Sequence, residues 1–243
     1  MSLPVAACTE TAIDAVLLDA GGVLILPEHA AMRAALEPYG VDPTDAELTR
    51  AHYAGMAAQD GDLEQGWSAY TRAYVAALGV AAEHGDAAEH GDAAAQALFA
   101  ARREWISATP AAATELARLA ALGVPLVVVS NAVGTVERQL AVAGVCQVGD
   151  GPGVRVEAVI DSHLVGVRKP DPAIFQLGLD AAGCAAAHAL MVGDFAYADV
   201  HGAEQAGIRA VHLDPYGDCR SRHAGPDVSG LAAVVELVRA SRG

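Results

Sequence analysis

A single lysine, Lys169, stands against 14 arginines in this 243-residue chain. No apolar run approaches the roughly 18 residues that a membrane-spanning helix needs. The first residues, MSLPVAACTETAID, lack both the basic start and the long apolar stretch of a secretion signal, so a cytoplasmic protein is expected. Cysteine is sparse as well: Cys8, Cys146, Cys184 and Cys219 lie far apart, form no CxxC pair and predict neither a zinc site nor a disulfide framework. Positive charge is in deficit. A net charge of -15 and a pI near 4.8 repel phosphate backbones and anionic lipid, which argues against nucleic acid or a membrane surface as the main partner. Several catalytic signatures are missing: GxSxG, HExxH, GxxxxGK, and GxGxxG after a strand. The nine histidines show no tight metal-ligand spacing outside one duplicated segment.

What the chain does contain is 53% hydrophobic residues, enough for a full core and a smaller second lobe. Apolar runs of strand length recur at Ala15 to Asp19, Pro125 to Ser130, Val156 to Ile160, Ala189 to Gly193 and Ile208 to Leu213. They do not alternate with polar residues, which predicts strands buried on both faces of a parallel sheet. Helical patterns separate them. Thr109 and Pro110 open one that closes at Gly123, Asp171 and Pro172 open another that closes at Gly183, and a last helix begins near Ser229. The alternation predicts an α/β, doubly wound, Rossmann-like core from residues 1–26 and 109–243.

Residues 27–108 read differently, as an inserted helical cap rich in alanine. Thr44 and Glu47 have the spacing of a capping box, and Trp67, Tyr70, Tyr74 and Leu78 share a helical stripe best read as core packing. EHGDAA occurs twice in tandem, from Glu83 to Ala88 and from Glu89 to Ala94. Tandem duplication in an exposed, flexible loop accounts for His84, Asp86, His90 and Asp92 better than a metal cluster does. GDGPG, Gly149 to Gly153, reads as a turn before the third strand.

In an open parallel sheet, ligands bind beyond the carboxyl ends of the strands. Asp19 ends the first strand in LLDAGGVL, Ser130 ends the second in VVVSNA, Asp194 follows the fourth in MVGDFAYAD, and Lys169 precedes a helix in GVRKPDPAIF. Each alone has an ordinary reading as a turn former, a helix cap or a solvated charge. Together they are groups that can converge on one point.

That ordered set, DAGGVL, SN, KPDPAIF and VGDFAYAD, resembles the four motifs of the haloacid dehalogenase superfamily, in the branch with a helical cap inserted after the first motif. The resemblance runs from Asp14 to about Leu213. It implies that Asp19 is the nucleophile, that Ser130, Asn131 and Lys169 bind the anionic group in flight, and that Asp19, Asp194 and the carbonyl of Gly21 hold Mg²⁺, with Asp199 in support. The implied partner is a small, phosphorylated molecule. The chemistry is coherent, since a carboxylate attacking another anion needs a cation and fixed donors to cancel the repulsion.

One position departs from the phosphatase pattern, because the second aspartate usual in such enzymes is here Gly21. Loss of that acid lowers the rate by roughly a hundred- to ten-thousandfold for poor leaving groups. Three readings follow: phosphoryl transfer limited to good leaving groups or helped by another acid, carbon–halogen hydrolysis as in 2-haloacid dehalogenases, and a nearly inert member that binds a phosphorylated ligand. A phosphonoacetaldehyde-hydrolase role needs a cap lysine, and there is none.

Overall fold

The computed structural model describes residues 11–80, 86–219, 223 and 225–243. In chain order the strands are β1 (Ala15–Leu18), β2 (Ile25–Leu26), β3 (Ser107–Ala108), β4 (Leu126–Ser130), β5 (Cys146–Val148), β6 (Val154–Val156), β7 (Ala158–Asp161), β8 (Ala189–Gly193), β9 (Arg209–Leu213) and β10 (Asp227–Val228). The helices are α1 (His29–Leu36), α2 (Asp45–Gly61), α3 (Trp67–Ala77), α4 (Asp86–Ala101), α5 (Ala112–Ala120), α6 (Val136–Val142), α7 (Ser162–Val165), α8 (Pro172–Ala182), α9 (Gly202–Gln205) and α10 (Leu231–Ser241). Two units result, Met1–Ile25 with Ala108–Pro215 and Arg222–Gly243, and Leu26–Ser107 with Tyr216–Ser221.

The first unit is built on a six-stranded sheet in the order β10-β9-β8-β1-β4-β7, every neighbouring pair parallel. All four residues of β1 are buried, as are all five of β4 and of β8, so the unalternating apolar runs do mark strands covered on both faces. Leu17, Val127, Val129 and Met191 pack in one cluster with Ile174, Phe175 and Leu179 of α8. A Cβ on Gly178 would lie 3.0 Å from both Leu17 and Val129, which lets α8 approach the sheet closely. α8 is set by local chemistry: the Asp171 carboxylate accepts from the Ala173 N–H (2.9 Å), Pro172 occupies the first turn, and Gly183 closes the helix at φ 62°.

Two local expectations change. Residues 156–160 are not one strand: the chain breaks at Glu157, because Val154–Val156 pairs with β5 outside the main sheet while Ala158–Asp161 pairs with β4. Thr109 does not open the following helix, which starts at Ala112 behind Ala111 in a left-handed conformation (φ 61°). The Thr109 hydroxyl donates instead to the carbonyl of Val23 (2.9 Å), and its N–H donates to the carbonyl of Leu24 (3.0 Å), both in the segment that follows Asp19.

The second unit is helical. Thr44 and Glu47 form the expected capping box at the start of α2, with the Thr44 N–H donating to Glu47 (2.8 Å). Of the aromatic stripe, Tyr70 and Tyr74 are core, with Tyr70 hydrogen-bonded to Nδ1 of His52 (2.9 Å), while Trp67 and Leu78 at its ends are only half-buried. Gly55 makes this possible, since a Cβ there would meet the Tyr70 ring at 2.6 Å. The first EHGDAA copy begins outside the described residues, including His84. The second copy lies in α4 rather than in the expected loop, with Asp92 paired to Arg72 (3.2 Å) and Ala94 buried in the helical core. Tyr216–Ser221, which the sequence assigns to the core domain, clusters with this unit through Arg50, paired with Asp218 and lying 4.6 Å over the Tyr216 ring. Among the described residues no helix is long and apolar enough to cross a membrane.

Candidate active site

Strand β1 is the point where the sheet order turns, with β4 on one side and β8 on the other. Its register, Leu18 opposite Val192 and Val128, puts the residue after Leu18 at the shared carboxyl edge. That residue is Asp19, whose N–H continues the ladder to the Val192 carbonyl (2.9 Å) and whose carboxylate accepts from the Ala20 N–H (2.7 Å). The chain then turns tightly, with Leu24 and Ile25 N–H both donating to Ala20 and Gly22 at φ 69°. Gly21 forms an isolated bridge with Ile25.

Lys169 reaches this edge from the loop before α8. Its Nζ lies 2.7 Å from Oδ1 of Asp19 and 2.6 Å from Oδ1 of Asp199, with the lysine side chain 2% exposed and Asp199 fully buried. Burial alone pulls the ammonium down, but the two carboxylates more than offset this and hold it above the ordinary lysine value. Asp199 is held by the segment after β8, where Ala196–His201 forms a π-turn and the Phe195 N–H donates to its Oδ2 (3.1 Å). Burial, only partly opposed by Lys169, pushes the Asp199 carboxyl well above the usual carboxylate range, and the negative charges of Asp19 and Asp194 add to the rise.

Asp194 follows β8 and is buried. Asp19, Asp194 and Asp199 each offer a carboxylate oxygen, and these oxygens lie within 4.8 Å of one another. Three carboxylates around one ammonium leave excess negative charge. An all-oxygen donor set in that state fits a hard divalent cation such as Mg²⁺.

Ser130 ends β4, is nearly buried and stands opposite Asp161 in the ladder to β7. Asn131 is placed differently from its expected contact with an anion. Its Nδ2 donates to the Lys169 carbonyl (2.9 Å) and its Oδ1 accepts from the Lys169 N–H (2.8 Å), so both ends of the amide hold the lysine's main chain. Sequence reasoning missed the groups that fix the loop after Ser130. The Asp161 carboxylate accepts from the N–H groups of Gly134 (2.9 Å), Val136 (3.4 Å) and His163 (2.9 Å), and the Ser162 hydroxyl bridges both polar groups of Ala132. The signal was there in VIDS, a carboxylate at a strand end followed by a hydroxyl. His163 and His201, the histidines nearest the motifs, are both exposed.

A family model of haloacid dehalogenase-like hydrolases matches residues 13–207, and the chain belongs to that family. It is therefore a hydrolase of that superfamily. Over 134 residues, 55% of this chain, it is 36% identical to the phosphoserine phosphatase of Thermus thermophilus, and it spans about half (51%) of that relative's length. Among solved structures, the L-2-haloacid dehalogenase of Xanthobacter autotrophicus with chloropropionic acid covalently bound matches at TM-score 0.57 and 22% identity, over 93% of this chain and 98% of that one. A HAD phosphatase from Thermococcus onnurineus matches at TM-score 0.57 and 17% identity, over 95% and 100%. At those identities the likeness is one of fold.

Proposed function

We propose that this hydrolase is a Mg²⁺-dependent phosphatase that acts through an aspartyl-phosphate on Asp19. The observation that carries the reading is the convergence on Asp19 of one ammonium and two further carboxylates at the carboxyl edge of the sheet. A 2-haloacid dehalogenase displaces halide with an aspartate and needs no cation. The surplus negative charge here favours a bound cation and hence phosphate, and the similarity to a phosphoserine phosphatase supports the same choice.

In this reading Asp19 attacks phosphorus through a carboxylate oxygen, the bond from phosphorus to the leaving oxygen breaks, and water then cleaves the acyl phosphate. Asp19, Asp194 and the Gly21 carbonyl would hold Mg²⁺, which when bound neutralises charge on the phosphoryl oxygens. Lys169 and Ser130 bind those oxygens, Asn131 positions Lys169, and Asp199 keeps the ammonium aimed at the site. Gly21 offers no proton to the leaving oxygen, so the substrates are small phosphorylated molecules whose leaving group departs as a stable anion. Residues 27–108 act as the cap that sets specificity, and residues 1–26 and 109–243, apart from Tyr216–Ser221, as the core domain that carries the chemistry.

The deciding experiment is an assay of purified protein with Mg²⁺ or with chelator, against acyl phosphates, aryl phosphates of graded leaving-group pKa and 2-haloacids. Phosphate release that requires Mg²⁺, rises as the leaving-group pKa falls and disappears in Asp19→Asn is expected. Halide release without added metal would overturn the reading.

A further inference from the structure

Two loops meet at the carboxyl edge of the sheet: residues 131–136, which follow Ser130, and residues 162–169, which run from the end of β7 to Lys169. They are tied together twice. Near Lys169, both polar groups of the Asn131 amide hold the lysine's main chain, at 2.8 and 2.9 Å. At the far end the ties come from Asp161 and Ser162, where β7 ends beside β4 and Asp161 stands opposite Ser130 in the ladder.

The Asp161 carboxylate is 2% exposed, and main-chain N–H groups from both loops satisfy it. Its Oδ2 accepts from Gly134 (2.9 Å) and Val136 (3.4 Å) in the first loop, and its Oδ1 accepts from His163 (2.9 Å) in the second. A buried carboxylate is costly unless its oxygens are hydrogen-bonded, and these are so only while both loops keep their places. The start of α6 shows the same dependence: Thr135, which precedes it, gives no side-chain cap, and Asp161 supplies from another strand the acceptor that Val136 needs. The Ser162 hydroxyl accepts from the Ala132 N–H (3.1 Å) and donates to the Ala132 carbonyl (3.2 Å). Alternate residues 132, 134 and 136 are thus each held by the end of β7. Gly134 permits the approach, since its φ is 90° and a Cβ there would lie 3.1 Å from the His163 ring.

We propose that Asp161 and Ser162 are positioning residues for the reaction: with Asn131 at the other end, they close the two loops into one frame that holds the Ser130 hydroxyl and the Lys169 ammonium at a fixed separation. Neither residue touches the reacting atoms. Each acts through main-chain groups, and the gain is that two donors borne on different loops meet an oxyanion already in place rather than being ordered as it binds. The anion they serve is a phosphoryl group only on the phosphatase reading above; the frame itself does not depend on it.

Amide hydrogen exchange, followed residue by residue in the full chain, tests the frame in Asp161→Asn. The carboxamide oxygen still caps His163, while the amide nitrogen that replaces Oδ2 faces the two N–H donors of the other loop. The amides of Gly134, Val136 and Lys169 should exchange about 10-fold or more faster, with those of His163 and β8 as in the wild type. Ser162→Ala should speed Ala132 and Lys169 in the same way, and Ser162→Thr, which keeps the hydroxyl, should return them; this pair carries the test if Asp161→Asn does not fold. With an aryl phosphate of low leaving-group pKa, Asp161→Asn and Ser162→Ala should lower kcat by about 10-fold at unchanged Mg²⁺ dependence. Faster exchange at Gly134 or Ala132 with Lys169 unmoved, or an unchanged kcat in a variant whose loops have loosened, would overturn the proposal. A wild-type protein that releases no phosphate would defeat the phosphatase reading instead, and the exchange at Lys169 alone would then decide the frame.

Discussion

Asn131 clasps the main chain of Lys169 at both of its polar groups, the N–H at 2.8 Å and the carbonyl at 2.9 Å. The only lysine of the chain is thereby fixed at its backbone by a residue from the adjacent strand end, while its ammonium is fixed by Asp19 and Asp199. Asn131→Asp keeps the acceptor for the Lys169 N–H and sets a second acceptor against its carbonyl. A loss of roughly 1.5–3 kcal/mol in that contact corresponds to a kcat lower by about 10- to 100-fold. Mg²⁺ affinity should not move, since no carboxylate of the cation set is touched. Steady-state kinetics at varied Mg²⁺ separates the two effects.

The left-handed conformation in this turn falls on Gly22 (φ 69°), so the backbone at Gly21 does not itself require glycine. Gly21→Asp should supply the missing acid and raise alkyl phosphate turnover by up to roughly a hundredfold, with little change for acyl phosphates. A leaving-group series run on both proteins shows it as a flatter dependence on pKa in the variant.

The carboxylates of Asp19, Asp194 and Asp199 repel one another when no cation is bound, so Mg²⁺ stabilises the fold as well as the reaction. At a hundred times its dissociation constant the ion adds about 2.7 kcal/mol. Asp194→Asn should lose most of that gain and, without metal, should be more stable than the wild type, because it removes one of the repelling charges. Thermal unfolding of both proteins with Mg²⁺ and with chelator gives all four values.

Acid sensitivity in the helical unit traces to His29. Burial lowers its pKa against the opposing pull of Asp45, 3.2 Å from Nδ1, and its buried Nε2 finds no hydrogen-bond partner among the described residues to receive a second proton. The unfolded chain therefore takes up the proton first as the pH falls. The stability that His29 contributes is complete above its unfolded pKa, near 6.5, starts to fall below that value and is lost as the pH drops through the lower folded pKa. His29→Gln should flatten the fall in urea midpoint between pH 7.5 and about pH 5.5, measured side by side with the wild type.

Local chemistry was legible wherever partners are close in sequence. The runs at Ala15, Leu126 and Ala189 could only be doubly buried strands, and Thr44 with Glu47, or Asp171 with Pro172, carry their helix starts within three residues. The meeting of Asp19 with Lys169 followed from motif order. What stayed hidden depends on distant partners. Asn131 looked like a ligand for an anion because nothing nearby shows that Lys169, 38 residues on, takes up its amide. Thr109 looked like a helix cap because its acceptor is Val23, 86 residues earlier. The strand break at Glu157 was invisible because Val154–Val156 finds a partner in Cys146–Val148 that competes with the main sheet.

The seclusion of Lys169 also gives the protein an unusual surface: its one ε-amine is 2% exposed and lies between two carboxylates, and no other lysine side chain competes for reagents. Acylating reagents that label lysines should leave the folded protein almost untouched at any side-chain amine. A label appearing on Lys169 would then be a direct clock for openings of this one edge of the sheet, read by mass spectrometry against a silent background.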